Sequence, residues 1–396
     1  MPFALVAALA GCASPTPITW HGDVAPLVNT HCARCHSADG VAPAWITDPT
    51  QAVARADTLR AWVDSGAMSP PASDPACRDY VDAEHRWLDP ADRQRIVDWV
   101  DQGALLGDPP AEPLAPPPPL ATLASPDAWL SMPDPYTLET DDDDNKYMCF
   151  VLDVDTSEPF YITGLELTPG NPAIVHHAVL FQVEESDPAE DYDNPAGQQA
   201  FDCRAQTGAA LWTLMHGWAP GTGATIFPEG TGLPVHADAR LVLQVHYYEV
   251  PGADRTDRSR YAVTTASEVD RPIAVYIGGA FDFRIPPFVA EHTHHNRTRN
   301  VRDDVDILGV LPHMHRRGRA YAAEVERDSG ETCLVEGQFD FDNQYTYLFK
   351  EPVPWNQGDT LHTTCVWDNS ATDREVTYGE ATDEEMCVFF SYVAPR

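Results

Sequence analysis

Ala173-Ile-Val-His-His-Ala-Val-Leu-Phe181 is an apolar run with two adjacent imidazoles set into it. Its β-branched and aromatic residues, entered through Gly170-Asn-Pro172, predict a strand. Successive side chains on a strand point to opposite faces, so His176 and His177 cannot both reach one site from a regular strand. One of them is awkward in an ordinary sandwich. A strand end or a bulge would collect both.

The same kind of run recurs at Tyr147–Val154, Arg240–Val250, Ile273–Ile277, Val305–Val310, Ala320–Val325 and Glu385–Val393. Gly, Pro, Asn and Asp turns separate these runs, and no long amphipathic helix interrupts them. That pattern predicts antiparallel β-sandwiches. The stretch is too long for one simple sandwich, so two in tandem are expected, over 125–270 and 271–396. The Asp141–Asp144 run reads as a solvated loop.

Upstream the period changes. Residues 17–107 read as a small helical unit, closed by Leu88-Asp-Pro-Ala-Asp-Arg-Gln-Arg-Ile-Val-Asp-Trp-Val-Asp-Gln-Gly103. Asp89 suits the cap of that helix, Pro90 its first position and Gly103 its stop. Ile96, Val97, Trp99 and Val100 share a face. A linker over 108–124 follows, in which Pro109–Pro119 makes a stiff, extended spacer.

The chain has 396 residues, and 61 Asp plus Glu against 25 Lys plus Arg leave a formal charge of −36. Phosphate backbones repel such a surface, so no nucleic-acid partner is expected. Nine cysteines fit an oxidising compartment. Residues 1–12, ending Leu9-Ala-Gly-Cys12, resemble a bacterial lipoprotein signal, although no Lys or Arg precedes the apolar run. The expectation is export to the periplasm or cell surface, with a lipid on Cys12 as the only membrane attachment, at the outer membrane.

Cys32-Ala-Arg-Cys35-His36 is a haem-attachment motif: two thiols one helical turn apart add to the vinyl groups, and His36 reaches the iron. Met68, in the Pro-bounded Gly66-Ala-Met-Ser-Pro-Pro71, resembles the methionine loop of class I cytochromes c. A thioether ligand there would raise the reduction potential. His85 competes for the same position. One covalent haem c is therefore expected, on a cytochrome c-like domain open to a redox partner.

Four further features stand out beyond His176-His177. His246 lies in Leu241-Val-Leu-Gln-Val-His-Tyr-Tyr248, and His313-Met-His315 places two imidazoles on one strand face. Met386 precedes Cys387. His292-Thr-His294-His295 is a second His-x-His, but its polar surroundings read as a solvated loop.

The order of Val175-His-His-Ala178, Trp218-Ala-Pro-Gly221, Phe227-Pro-Glu-Gly230, Leu243-Gln-Val-His-Tyr247, His313-Met-His315 and Glu385-Met-Cys387 resembles the copper type II, ascorbate-dependent monooxygenases across about residues 125–396. The resemblance implies two copper ions across a solvent-filled cleft, one per sandwich. His176, His177 and His246 would hold the electron-storing copper; His313, His315 and Met386 would hold the one that activates O2. A soft thioether favours Cu(I), which fits that division. Met314 alternates away and is expected to pack.

The resemblance also implies disulfides Cys149–Cys203 and Cys365–Cys387, and leaves Cys77 and Cys333 without an assigned partner. Val183 stands where some members carry a further cysteine. Leu311 stands where peptide-amidating members carry a carboxylate-binding arginine, so a C-terminal peptide is not the expected substrate. The function implied is hydroxylation of a C–H bond in a small molecule with O2, electrons coming from the fused haem or an ascorbate-like reductant. A non-catalytic copper-binding or electron-transfer surface lipoprotein is the alternative.

Overall fold

A computed structural model of the protein describes residues 16–37, 42–117, 119–139, 145–183, 200–203, 212–248, 252–379 and 383–396. The Asp141–Asp144 run and the signal-like residues 1–12, Cys12 included, lie outside the described residues.

The helical unit follows its sequence punctuation. Asp89 caps the Pro90–Asp101 helix by accepting from the Ala91 N–H, and Gly103 takes φ +96° just past its end. The helix buries Ile96, Val97 and Trp99 against Trp20, Val28, Leu59 and Val63, with the Trp20 and Trp99 rings 5.5 Å apart. Full burial of side chains this large stabilises by roughly 1.5–3 kcal/mol each.

Next comes a two-layer sandwich. One sheet runs, in spatial order, through Ala200–Asp202, Asn145–Val151, Arg240–Tyr248, Val175–Val183 and Thr213–Trp218. The facing sheet is built on Ala128–Ser131, Arg260–Ala266, Phe160–Thr168, Thr231–Val235 and Arg271–Pro272, with Thr225–Ile226 added to its third strand. Leu165, Leu180, Leu243, Val245, Tyr261 and Val263 fill the space between them.

The second sandwich pairs the sheet Ala274–Ala280, Cys387–Pro395, Val305–His313, Tyr347–Trp355 with the sheet His292–Arg299, Thr360–Trp367, Gly318–Arg327, Gly330–Gln338. The two sandwiches abut directly. Leu308, Tyr392 and Ala394 of the second pack into the core of the first, and the Tyr392 hydroxyl donates to the Met215 carbonyl at 2.7 Å. The Arg271 guanidinium meets Asp306 across the same boundary at 2.6 Å.

Three disulfides lock this arrangement. Cys149–Cys203 and Cys365–Cys387 pair as the resemblance implies, and Val183 is fully buried beside the first of them. Cys77 and Cys333, unassigned from sequence, bond to each other and staple the helical unit to the second sandwich. The staple is reinforced by the Val81 N–H, which donates to the Leu348 carbonyl, and by the Ser73 N–H, which donates to the Tyr347 hydroxyl.

One expectation is corrected here. His292–Arg299 is not a loop; it is a paired strand whose residues alternate between half-buried and exposed. The linker makes contacts at both ends. Asn29 donates to the Ala115 carbonyl, and Ala224 donates to Ala121, so the segment lies along the molecule.

Candidate metal centres

Opposite His246, the Val175–Val183 strand carries a bulge. The pairing runs Val245 with Ala178 and His246 with His177, then slips so that Tyr247 faces Val175. His176 is the extra residue, and the slip turns it to the same side as His177. The sequence conflict between adjacent histidines is resolved by that one-residue irregularity.

The three Nδ1 atoms face one another: 3.1 Å from His176 to His177, 3.2 Å from His176 to His246 and 3.3 Å from His177 to His246. An ion at the centre of such a triangle would lie about 1.85 Å from each nitrogen, slightly inside the roughly 2.0–2.1 Å of metal–imidazole bonds. Burial pushes His177 down to about 3, helped by the neighbouring His176 and His313; burial also lowers His246 and His176. All three rings are therefore neutral near pH 7, with lone pairs available for a metal. The Tyr147 ring stacks on His246 at 4.2 Å and 3° and fixes its plane.

The second cluster forms where two strands end together. His313 closes Val305–His313 opposite Val388, and continuing that register by two residues brings His315 level with Met386. The Glu385 carboxylate ties them: it accepts from the backbone N–H of His315 at 3.0 Å, of Met386 at 3.3 Å and of Arg317 at 2.7 Å, and from the Trp367 indole at 3.0 Å. Burial pushes this carboxyl up to about 7 against the pull of those donors. His313 donates Nδ1–H to Gln344 Oε1 at 2.6 Å, and His315 donates Nδ1–H to the Glu384 carbonyl at 3.3 Å. With the proton on Nδ1, the lone pair of each ring is on Nε2. One cluster thus presents Nδ1 and the other Nε2. The Met386 side chain is half-buried, on a backbone that Glu385 holds beside that of His315, while Met314 is fully buried in the sandwich core.

The other sequence-singled residues lie apart from these clusters. His292 and His294 share a face, with His292 stacked near Trp367 and His294 3.9 Å from Asp282. The only group of three or more potential ligating residues of the His, Cys, Asp and Glu types among the described residues is His176, His177 and His246. Cys32, Cys35 and His36 form a helical turn, with the His36 N–H donating to the Cys32 carbonyl. Met68 is half-buried, and His85 is engaged through Nδ1 by Asp82 at 2.9 Å. Leu311, where the resemblance gave no carboxylate-binding arginine, is buried against Gly217.

Sequence reading missed three contributors. Glu385 and Gln344 act through partners distant in sequence. His216, fully buried, joins the two sheets of the first sandwich by hydrogen bonds to the Tyr261 hydroxyl at 3.1 Å and the Thr225 hydroxyl at 2.9 Å. The apolar Thr213–Trp218 run was the available signal, since a histidine inside it requires buried partners.

The expected partners also need correction. Six cysteines are spent in disulfides inside the fold and Cys12 lies outside the described residues, so the lipid anchor expected on Cys12 is withdrawn. The helical unit is stapled and docked to its own sandwiches, and its expected opening to a redox partner is withdrawn as well.

Comparison with known proteins agrees with the geometry. The description "Copper type II ascorbate-dependent monooxygenase, N-terminal domain" matches residues 135–253, and the corresponding C-terminal domain matches 285–395. Neither extends to the helical unit. Among curated proteins, peptidyl-glycine alpha-amidating monooxygenase A of Xenopus laevis is 24% identical over 275 residues, covering 68% of this chain and 28% of that protein. Dopamine beta-hydroxylase of Rattus norvegicus is 25% identical over 275 residues, covering 63% of this chain and 43% of that protein. The chain thus spans less than half the length of either relative. Both domain descriptions lie in sequence order on the two sandwiches and together take in more than half of the chain: the protein belongs to the copper type II ascorbate-dependent monooxygenases.

Proposed function

We propose that the protein inserts one oxygen atom of O2 into a C–H bond of a small molecule and reduces the other to water. His176, His177 and His246 would hold one copper, and His313, His315 and Met386 a second. The convergence of three neutral Nδ1 atoms on one point, in a chain of this family, carries the reading. When bound, the two coppers supply the two electrons the reaction needs, and the thioether-ligated one favours the Cu(I) state that meets O2.

The chain's own residues prepare both sites. Gln344 and the Glu384 carbonyl fix the tautomers of His313 and His315, and Glu385 holds the backbone of His315 and Met386 together. Leu311 offers no charge to a substrate carboxylate.

The test is copper-dependent O2 uptake with a chemical reductant across candidate substrates. Hydroxylated product from wild type, absent in His313→Ala, is expected. Two bound coppers without product or coupled O2 uptake would favour a copper-binding or electron-transfer role.

The finer part of the proposal is a c-type haem on the helical unit. Cys32 and Cys35 are free in a fold that oxidises six other cysteines. Burial pushes the Cys32 thiol up to about 12, unlike the depressed value of a redox-active thiol pair. His36 is buried and donates Nδ1–H to the Pro43 carbonyl at 2.8 Å, which leaves Nε2 for iron. When bound, the haem supplies single electrons in place of a diffusible reductant such as ascorbate. Cys35 lies against the Trp218-Ala-Pro-Gly221 turn of the first sandwich, where a Cβ on Gly221 would come within 3.2 Å of its sulfur. Three disulfides support an exported protein in an oxidising compartment. Expression with cytochrome c maturation should yield one haem that survives acid extraction. Haem removed by that extraction would overturn this part alone.

A further inference from the structure

A short loop between the strands Gly330–Gln338 and Tyr347–Trp355 touches both histidine clusters at once. Its Gln344 side chain accepts from His313 at 2.6 Å. Its Phe341 ring stands edge-on to His177 and to His315, 6.3 Å from each. Its Asp342 carboxylate crosses to the other sandwich, accepts from the Tyr248 hydroxyl at 3.1 Å and lies 3.6 Å from His176 Nε2.

The loop is held by its own hydrogen bonds. Gln344 Nε2 donates to the Phe341 carbonyl at 2.9 Å, the Asp342 N–H to Asp340 at 3.0 Å and Asn343 Nδ2 to Asp340 at 2.9 Å. Seen from the first sandwich, the same contacts close a set around His176. Its Nδ1 belongs to the triangle, its ring packs on Tyr248 at 4.2 Å, and its Nε2 faces the carboxylate that Tyr248 also holds.

We propose that this loop is a strap by which the second sandwich sets the ligand geometry of the first, with Asp342 as the positioning residue for His176. The proposal rests on the copper reading of the His176 cluster. Asp342 touches no ligating atom; it acts on the outer nitrogen. A negative charge facing that nitrogen favours the tautomer with its proton on Nε2 and makes Nδ1 a better donor to a metal. At 3.6 Å the carboxylate lies beyond hydrogen-bond range of the neutral ring and acts on it through its charge, so Tyr248 supplies the fixed point that keeps the carboxylate in place. Phe341 occupies the interval between the clusters. Movement of one sandwich against the other would therefore pull Asp342 from His176 and Phe341 from between the sites together.

Metal affinity and spectroscopy test this without a substrate. Copper binding is measured by competition with a chelator, and the Cu(II) environment by electron paramagnetic resonance, in wild type, Asp342→Asn, Asp342→Glu and Tyr248→Phe. Outer-shell partners of metal-ligating histidines typically contribute 10–100-fold in affinity. Asp342→Asn is expected to weaken one of the two coppers about 10-fold or more and to shift its hyperfine pattern. Tyr248→Phe should shift it in the same direction but less, and Asp342→Glu should recover part of the loss. Wild-type affinity and spectrum in Asp342→Asn would overturn the strap while leaving the copper reading intact. Equal weakening of both coppers, unrelieved by Asp342→Glu, would overturn it as a general loss of fold. Wild-type protein that takes up no copper at the His176 cluster would overturn the copper reading and the strap with it.

Discussion

Replacing His216 with glutamine should remove one specific source of acid sensitivity. The imidazole is fully buried between Tyr261 and Thr225, and burial pushes it down to about 3 from the ordinary 6.5. The folded state therefore holds the ring neutral, while the unfolded chain takes up a proton as soon as the pH falls below about 6.5. Because the unfolded state binds more protons in that window, stability falls with falling pH from 6.5 toward 3, and the contribution is flat above 6.5. At 1.36 kcal/mol per pH unit, moving from pH 7.5 to 5.0 costs about 2 kcal/mol through this group.

Glutamine cannot titrate and can still donate and accept, so the variant is expected to be less stable at neutral pH but to lose about 2 kcal/mol less than wild type on that pH step. Urea denaturation of copper-free protein at the two pH values measures it. The other depressed histidines are common to both proteins and cancel in the comparison. Equal losses, within about 0.5 kcal/mol, would show that His216 titrates in the fold as it does in water, and the reasoning from burial would fail.

Other outcomes follow from the same geometry. His246→Ala should remove one copper and leave the other, and Met386→Ile should spare the His176 cluster while abolishing O2 uptake; metal analysis with oxygen electrode measurements checks both. The double change His292→Ala, His294→Ala should leave copper content at the wild-type value, and a lost copper would refute the choice between the two His-x-His motifs. Cys77→Ser with Cys333→Ser should leave both copper sites filled but release the helical unit to limited proteolysis, read by fragment mass. Met68→Ala in haem-loaded protein should make the iron accessible to added ligands, whereas an unchanged low-spin spectrum would move the sixth position to His85.

Much of this was legible in the residues themselves. The apolar, β-branched and aromatic runs of the Val175–Val183 and Arg240–Tyr248 strands are a local property, and so are the Asp89-Pro90 opening and Gly103 stop of the helix. Candidate ligands could be named because imidazole and thioether are scarce chemistries that stand out in apolar runs. Local pattern failed at His292–Arg299, where polar residues concealed a strand: pairing with Thr360–Trp367, not hydrophobicity, makes it one. Whether His176 and His177 could serve one site was undecidable from the strand alone, since a bulge depends on the register of the partner strand. Cys77 and Cys333 are far apart in the chain, and no spacing rule brings them together; the docking of the helical unit does. The contacts of Glu385, Gln344 and Asp342 have the same origin. Hydrogen bonds between segments tens of residues or a whole domain apart exist only once the sheets have packed, so residue identity determined which groups could bind metal, and tertiary packing decided which nitrogen each one presents.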